Sequence, residues 1–132
     1  MTIHWEDLRS RAATVRKNAH APYSKFHVGA ALLAQDGRVF EGANVENASY
    51  GLCLCAERSA VAQAVAAGAT AFEAIAIVAP GDRPVPPCGM CRQVLAEFSP
   101  AMTVRSYTEG GAMLESSVAE LLPHGFSSDF LE

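Results

Sequence analysis

Two short clusters set the strongest limit on what this chain can fold into. The first is Cys53-Leu-Cys55-Ala-Glu57-Arg58, opening a run of strong helix formers from Cys55 to Ala67 that stops at Gly68. The second is Pro86-Pro-Cys88-Gly-Met-Cys91, which opens a second helical run reaching about Phe98. Three thiolates from the two clusters, Cys55, Cys88 and Cys91, can close around one zinc and leave its fourth position to water. That is the arrangement of a catalytic rather than a structural zinc site. Any fold this chain adopts must therefore bring the starts of two separate helices together.

The charges explain what else must be nearby. One divalent ion and three thiolates sum to minus one, and the excess weakens the ion as a Lewis acid. Helix N-termini favour negative charge, and both clusters sit at such ends. Arg58 is well placed to offset the remainder, with Arg92 a second candidate. Glu57 is not needed as a ligand and is free to serve as an acid or base beside the water. Cys53 admits two readings. It could complete a four-cysteine structural site in a zinc module without chemistry, or it could be a buried bystander. Two ligands one residue apart at a helix start have difficulty reaching one tetrahedron, which favours the bystander. His4, His20, His27 and His124 show no metal-ligand spacing.

The rest of the chain supplies a frame. Trp5, Leu8, Ala12, Val15 and Ala19 predict an amphipathic helix over 3–19, ended by Pro22. Residues 26–34 and 39–45 read as strands joined by the turn Gln35-Asp-Gly-Arg38. Residues 74–79 are a buried strand, 80–87 a rigid loop, 102–107 another strand, and a short strand lies near Met113. Ser117 with Glu120 predicts a capping box opening a last short helix, stopped by Pro123. The order α-β-β-α-β-α-β-β-α predicts a three-layer α/β/α sandwich around a five-stranded mixed sheet, with residues 1–132 as one catalytic domain.

Composition narrows the partners. The 132 residues carry a net charge of −4, which argues against a nucleic-acid surface. Half the residues are apolar, so some apolar surface is expected to go into subunit contacts. No membrane span or export signal is read at the N-terminus, which favours a reducing cytoplasm and disfavours disulfides among the four cysteines.

Cys55-Ala-Glu57 with Pro87-Cys88-Gly-Met-Cys91 resembles the zinc-dependent cytidine deaminases, in the compact class with three cysteine ligands. Ala21-Pro-Tyr-Ser-Lys-Phe-His-Val-Gly29, Gly42-Ala-Asn-Val-Glu-Asn47 and Leu121-Leu-Pro-His-Gly-Phe126 are similar to family segments in family order, so the resemblance spans nearly the whole chain. It implies hydrolytic deamination of cytidine and deoxycytidine in pyrimidine salvage, one zinc per subunit, and a homotetramer. It also implies that Glu57 carries protons and that Arg58 bonds to the thiolates. Asn44 and Glu46 match positions that bind the ribose hydroxyl, Phe26 the aromatic that stacks on the base, and the Ala56 N–H a donor to the base carbonyl. Ala48, Tyr50 and Phe126 match positions that enter the site from a neighbouring subunit. Read alone, Phe26 is a core aromatic, and Asn44 and Glu46 are a turn amide and a surface carboxylate. A blasticidin S-type deaminase shares the metal motifs, but Phe26-His-Val-Gly29, Asn44-Val-Glu46 and Phe126 fit the cytidine enzymes better.

Overall fold

Gly29-Ala-Ala-Leu-Leu-Ala34 forms β1 (Gly29–Ala34), and every residue in it is buried. A strand apolar on both faces must lie inside a sheet covered on both sides. The protein's structure is a computed structural model, which describes residues 2–131. In it β1 pairs antiparallel with β2 (Val39–Ala43) on one side and with β3 (Phe72–Ala79) on the other. Beyond β3 lies β4 (Thr103–Thr108), parallel to it, and then β5 (Met113–Ser117), antiparallel to β4. The sheet order is β2-β1-β3-β4-β5.

Successive strand residues point to opposite faces, and this alternation divides the core in two. Ala31, Leu33, Ala74, Ala76 and Val78 pack against Leu8 and Ala12 of α1 (Trp5–Val15). Ala30, Leu32, Ala34, Ile75 and Ile77 face the other way. They pack with Ala56, Ala60, Val61 and Ala64 of α2 (Ala56–Ala66), Leu95 of α3 (Gly89–Phe98) and Val118 of α4 (Val118–Leu121). The expected three-layer α/β/α sandwich with a five-stranded mixed sheet is the observed architecture. The parallel β3–β4 pair requires a crossover, and α3 supplies it. The chain leaving the carboxyl end of β3 therefore runs through residues 80–87 straight to the start of α3.

Where boundaries differ, a local bond explains the difference. The first helix ends at Val15 and tightens into a 3₁₀ turn at Arg16–Asn18 instead of continuing to 19. Residues 26–28 precede β1 instead of opening it, because the Asn44 side chain takes over their backbone. Its Oδ1 accepts from the Val28 N–H at 2.8 Å and its Nδ2 donates to the Phe26 carbonyl at 2.8 Å. For the same reason β2 stops at Ala43, and Val45 keeps only isolated bridges to His20 and Leu54. The capping box is present as predicted, with Ser117 Oγ accepting from the Glu120 N–H at 3.2 Å.

Candidate metal centre and active site

The three thiols meet. Cys55 is the N-cap of α2 and Cys88 the N-cap of α3, with Cys91 one turn further on. The Cys55 and Cys88 sulfurs are 3.7 Å apart, and those of Cys88 and Cys91 3.5 Å apart. A tetrahedral zinc with bonds of about 2.3 Å sets its sulfurs about 3.8 Å apart, so the triad fits this ion with little adjustment. Among the described residues, these three form the one group of His, Cys, Asp or Glu side chains close enough to share a metal. Cys53 lies outside it, half-buried instead of buried as expected because it sits in the loop ahead of α2, its sulfur 3.4 Å from the Asn47 nitrogen and 3.6 Å from the Asn47 carbonyl oxygen. All four cysteines are free.

The electrostatics prepare the triad for a cation. A hydrogen bond from Cys91 holds the Cys55 thiol down at about 5, assisted by Arg58 and Cys88 and opposed by burial. Cys91 is shifted the other way because it is the donor to the Cys55 thiolate. A bound metal would take both as thiolates. Arg58 Nη2 donates to Cys55 Sγ at 3.7 Å and to the Cys53 carbonyl at 3.2 Å. Its Nε is buried without a partner, which leaves a further donor beside the sulfurs. Arg92, the second candidate for this task, does not reach the sulfurs: its bonds go to the Pro87 and Leu121 carbonyls.

Glu57 is the only buried acidic side chain among the described residues, at 5% exposure. Burial raises its pKa to about 7, and the charge on Cys55 adds to this against the bond from its own N–H and the pull of Arg58. A carboxyl poised there can both take and return a proton at neutral pH. It faces a cavity of about 190 Å³. With Glu57, its lining includes Phe26, Val28, Asn44, Cys55, Ala56, Ile77, Val85, Pro86 and Cys88. Ala56 is the first residue of α2, so its N–H has no acceptor within the helix. A larger groove of about 390 Å³ lies along α1, but its Arg9 and Arg16 are engaged in ion pairs with Glu6 and Glu109.

The remaining expected site residues stand further out. Glu46 Oε1 accepts from the N–H groups of Tyr23 and Ser24 at 3.0 and 3.1 Å, and its other oxygen accepts from the Ser24 hydroxyl. These bonds, the Ser24 hydroxyl foremost, hold the Glu46 carboxyl below its usual range. Tyr50, 75% exposed, sits with Glu46 beside a neighbouring hollow, and Ala48 is exposed on the same loop. Phe126, 57% exposed, stacks on Phe130 with 5.6 Å between ring centroids and lies outside the cavity of its own subunit. Ser24, Val85 and Pro86 are site residues that sequence reasoning missed. Ser24 accepts from the Phe26 N–H at 3.0 Å while donating to Glu46, so it links the two. A Ser two residues before the candidate stacking Phe was the available signal.

A family model described as the cytidine and deoxycytidylate deaminase zinc-binding region matches residues 4–106, which include all three thiols and Glu57. The chain belongs to the cytidine deaminase family. The cytidine deaminase of Halalkalibacterium halodurans is 52% identical over 123 residues, covering 92% of this chain and 93% of that protein. The cytidine deaminase of Mycobacterium tuberculosis is 40% identical over 129 residues, covering 98% and 94%. Among solved structures, the cytidine deaminase from Burkholderia pseudomallei superposes with a TM-score of 0.90 at 48% identity, covering 95% of this chain and all of that one. The deaminase fold is thus shared at high identity over nearly the full length. Zinc is the metal of this family, and the thiol triad is the candidate group to hold it.

Proposed function

We propose that this chain is a single-domain enzyme that hydrolyses cytidine and deoxycytidine to uridine and deoxyuridine with release of ammonia. The observation that carries this is a buried carboxyl, Glu57, lining the same small cavity as the thiols Cys55 and Cys88 of the metal triad. When bound by Cys55, Cys88 and Cys91, zinc supplies a Lewis acid that acidifies a water at its open position. Glu57 takes that water's proton and delivers it to the pyrimidine ring nitrogen, which makes carbon four electrophilic. Once carbon four carries the hydroxyl, Glu57 takes that hydroxyl's proton and passes it to the departing amine; the carbon–nitrogen bond breaks, and water plus cytidine become uridine and ammonia.

The chain's other residues orient the nucleoside. Phe26 stacks on the base and the Ala56 N–H binds its carbonyl oxygen. Asn44 uses one donor and one acceptor on the loop backbone, and Glu46 accepts from two backbone N–H groups and the Ser24 hydroxyl. The capacity left over, an amide N–H and a carboxylate lone pair, suits a ribose hydroxyl. Ala48, Tyr50 and Phe126 complete the site from a neighbouring copy in a homotetramer, supported by their exposure and by their position outside the home cavity. A thiolate ligand set needs a reducing compartment, which supports a cytoplasmic enzyme of pyrimidine salvage. Among the described residues no helix is long and apolar enough to cross a membrane.

The test pairs zinc content with ammonia release from cytidine. Wild type should carry one zinc per chain and release ammonia. Glu57→Gln should keep zinc and lose at least about 10²–10⁴-fold in kcat. Substantial turnover in that variant refutes the role of Glu57.

A further inference from the structure

Arg92 follows the last thiol ligand but does not act on the sulfurs. Its Nε donates to the Pro87 carbonyl at 2.7 Å, and its Nη1 donates to the Leu121 carbonyl at 2.9 Å. Both acceptors are short of partners for physical reasons. Pro87 is fully buried, so its carbonyl must find a donor within the protein. Leu121 is the last residue of α4, where helix carbonyls run out of intrahelical donors. The adjacent residue, Gln93, donates Nε2 to the Phe126 carbonyl at 2.8 Å. Among the described residues, no other side chain hydrogen-bonds residues 80–87 or 121–131.

We infer that Arg92 is a positioning residue that clamps the metal-binding loop to the C-terminal segment, with Gln93 extending the clamp to Phe126. Two carbonyls from segments 34 residues apart in the chain (87 and 121) need two N–H groups held in a fixed plane, which a guanidinium provides and an ammonium does not. The clamp fixes where the chain leaves α4 relative to Cys88, and hence where the Phe126 ring is presented. The inference rests on the reading of Phe126 as a wall of a substrate site. It assigns Arg92 to substrate binding through geometry, and not to the charge of the thiolates.

The experiment compares Arg92→Lys and Arg92→Gln with wild type by zinc content, by kcat and KM for cytidine, and by amide hydrogen exchange across residues 121–131. Both variants should keep one zinc. In both, KM should rise about tenfold, the weight of one lost hydrogen bond, with kcat little changed. Exchange in 121–131 should quicken by a similar factor while the β1–β3 amides stay protected. Restoration of wild-type constants by Lys overturns the inference in favour of a charge role, and unchanged exchange in 121–131 overturns it outright. Should either variant fail to fold, Gln93→Ala cuts only the Phe126 link and must show the same KM and exchange shifts in smaller measure; no shift there also overturns it. Failure of wild type to release ammonia counts against the proposed reaction alone, because the exchange measurement still judges the clamp.

Discussion

Arg58 lies beside the thiol triad, where three thiolates and a bound dication would leave a net negative charge. Removing it should leave the ligands in place but concentrate that charge on the metal. We expect Arg58→Ala to keep one zinc per chain and lose about ten- to a hundredfold in kcat, the range for a hydrogen bond to a charged group. Cys53→Ser should change neither zinc content nor kcat, because its sulfur contacts only the Asn47 backbone. Atomic absorption and steady-state kinetics on the two variants separate a three-sulfur site from a four-sulfur one. At this scale the sequence was legible wherever chemistry needs near neighbours: Cys88 and Cys91 share one helical turn, and Glu57 follows Cys55 by two. For Ser24 the one local signal was its place two residues before Phe26, and for the Arg92–Leu121 bond there was none. Their partners Glu46 and Leu121 are 22 and 29 residues away, and local spacing does not identify partners over such distances.

Among the elements, β2 and α2 show how the frame places the site. Gly42 lies under α2 so closely that a Cβ would come within 2.4 Å of both the Ala56 carbonyl and the Ala60 nitrogen. Both are backbone atoms of the helix whose start carries Cys55 and Glu57, so neither can move aside alone. Gly42→Ala should destabilise the fold by roughly 1–3 kcal/mol, as overpacked cores do, and lower zinc affinity as well. Thermal melts with and without added zinc check both effects. Apolar periodicity, helix formers, turn residues and a capping box together predicted all five strands and all four α-helices in order. Missed were the end of the first helix at Val15, the start of β3 at Phe72 and the boundaries at 26–28 and 44–45, the 26–28 stretch being where an Asn side chain bonds the backbone. An apolar run looks the same whether its backbone pairs with a strand or with an amide.

On the scale of the molecule, large apolar side chains remain uncovered, among them Leu52 at 68% and Phe130 at 70% exposure. Association of copies would cover such groups, and it would bring Tyr50 and Phe126 to a neighbour's cavity. Mixing Glu57→Gln with Phe126→Ala tests this directly. Refolded together, the two chains should recover low-KM turnover that neither shows alone, because one hybrid site joins an intact carboxyl to an intact ring. No recovery would mean that both residues serve the same copy.

The triad also has a mechanical side. Cys55 precedes β3 in the chain and Cys88 follows it, 33 residues later, so an ion held by both would enclose a central strand in a closed loop. Such a loop restricts the unfolded chain as a covalent staple does. Chelation would therefore cost the chain more than its chemistry, because the same ion would also tie the two helix starts across the sheet.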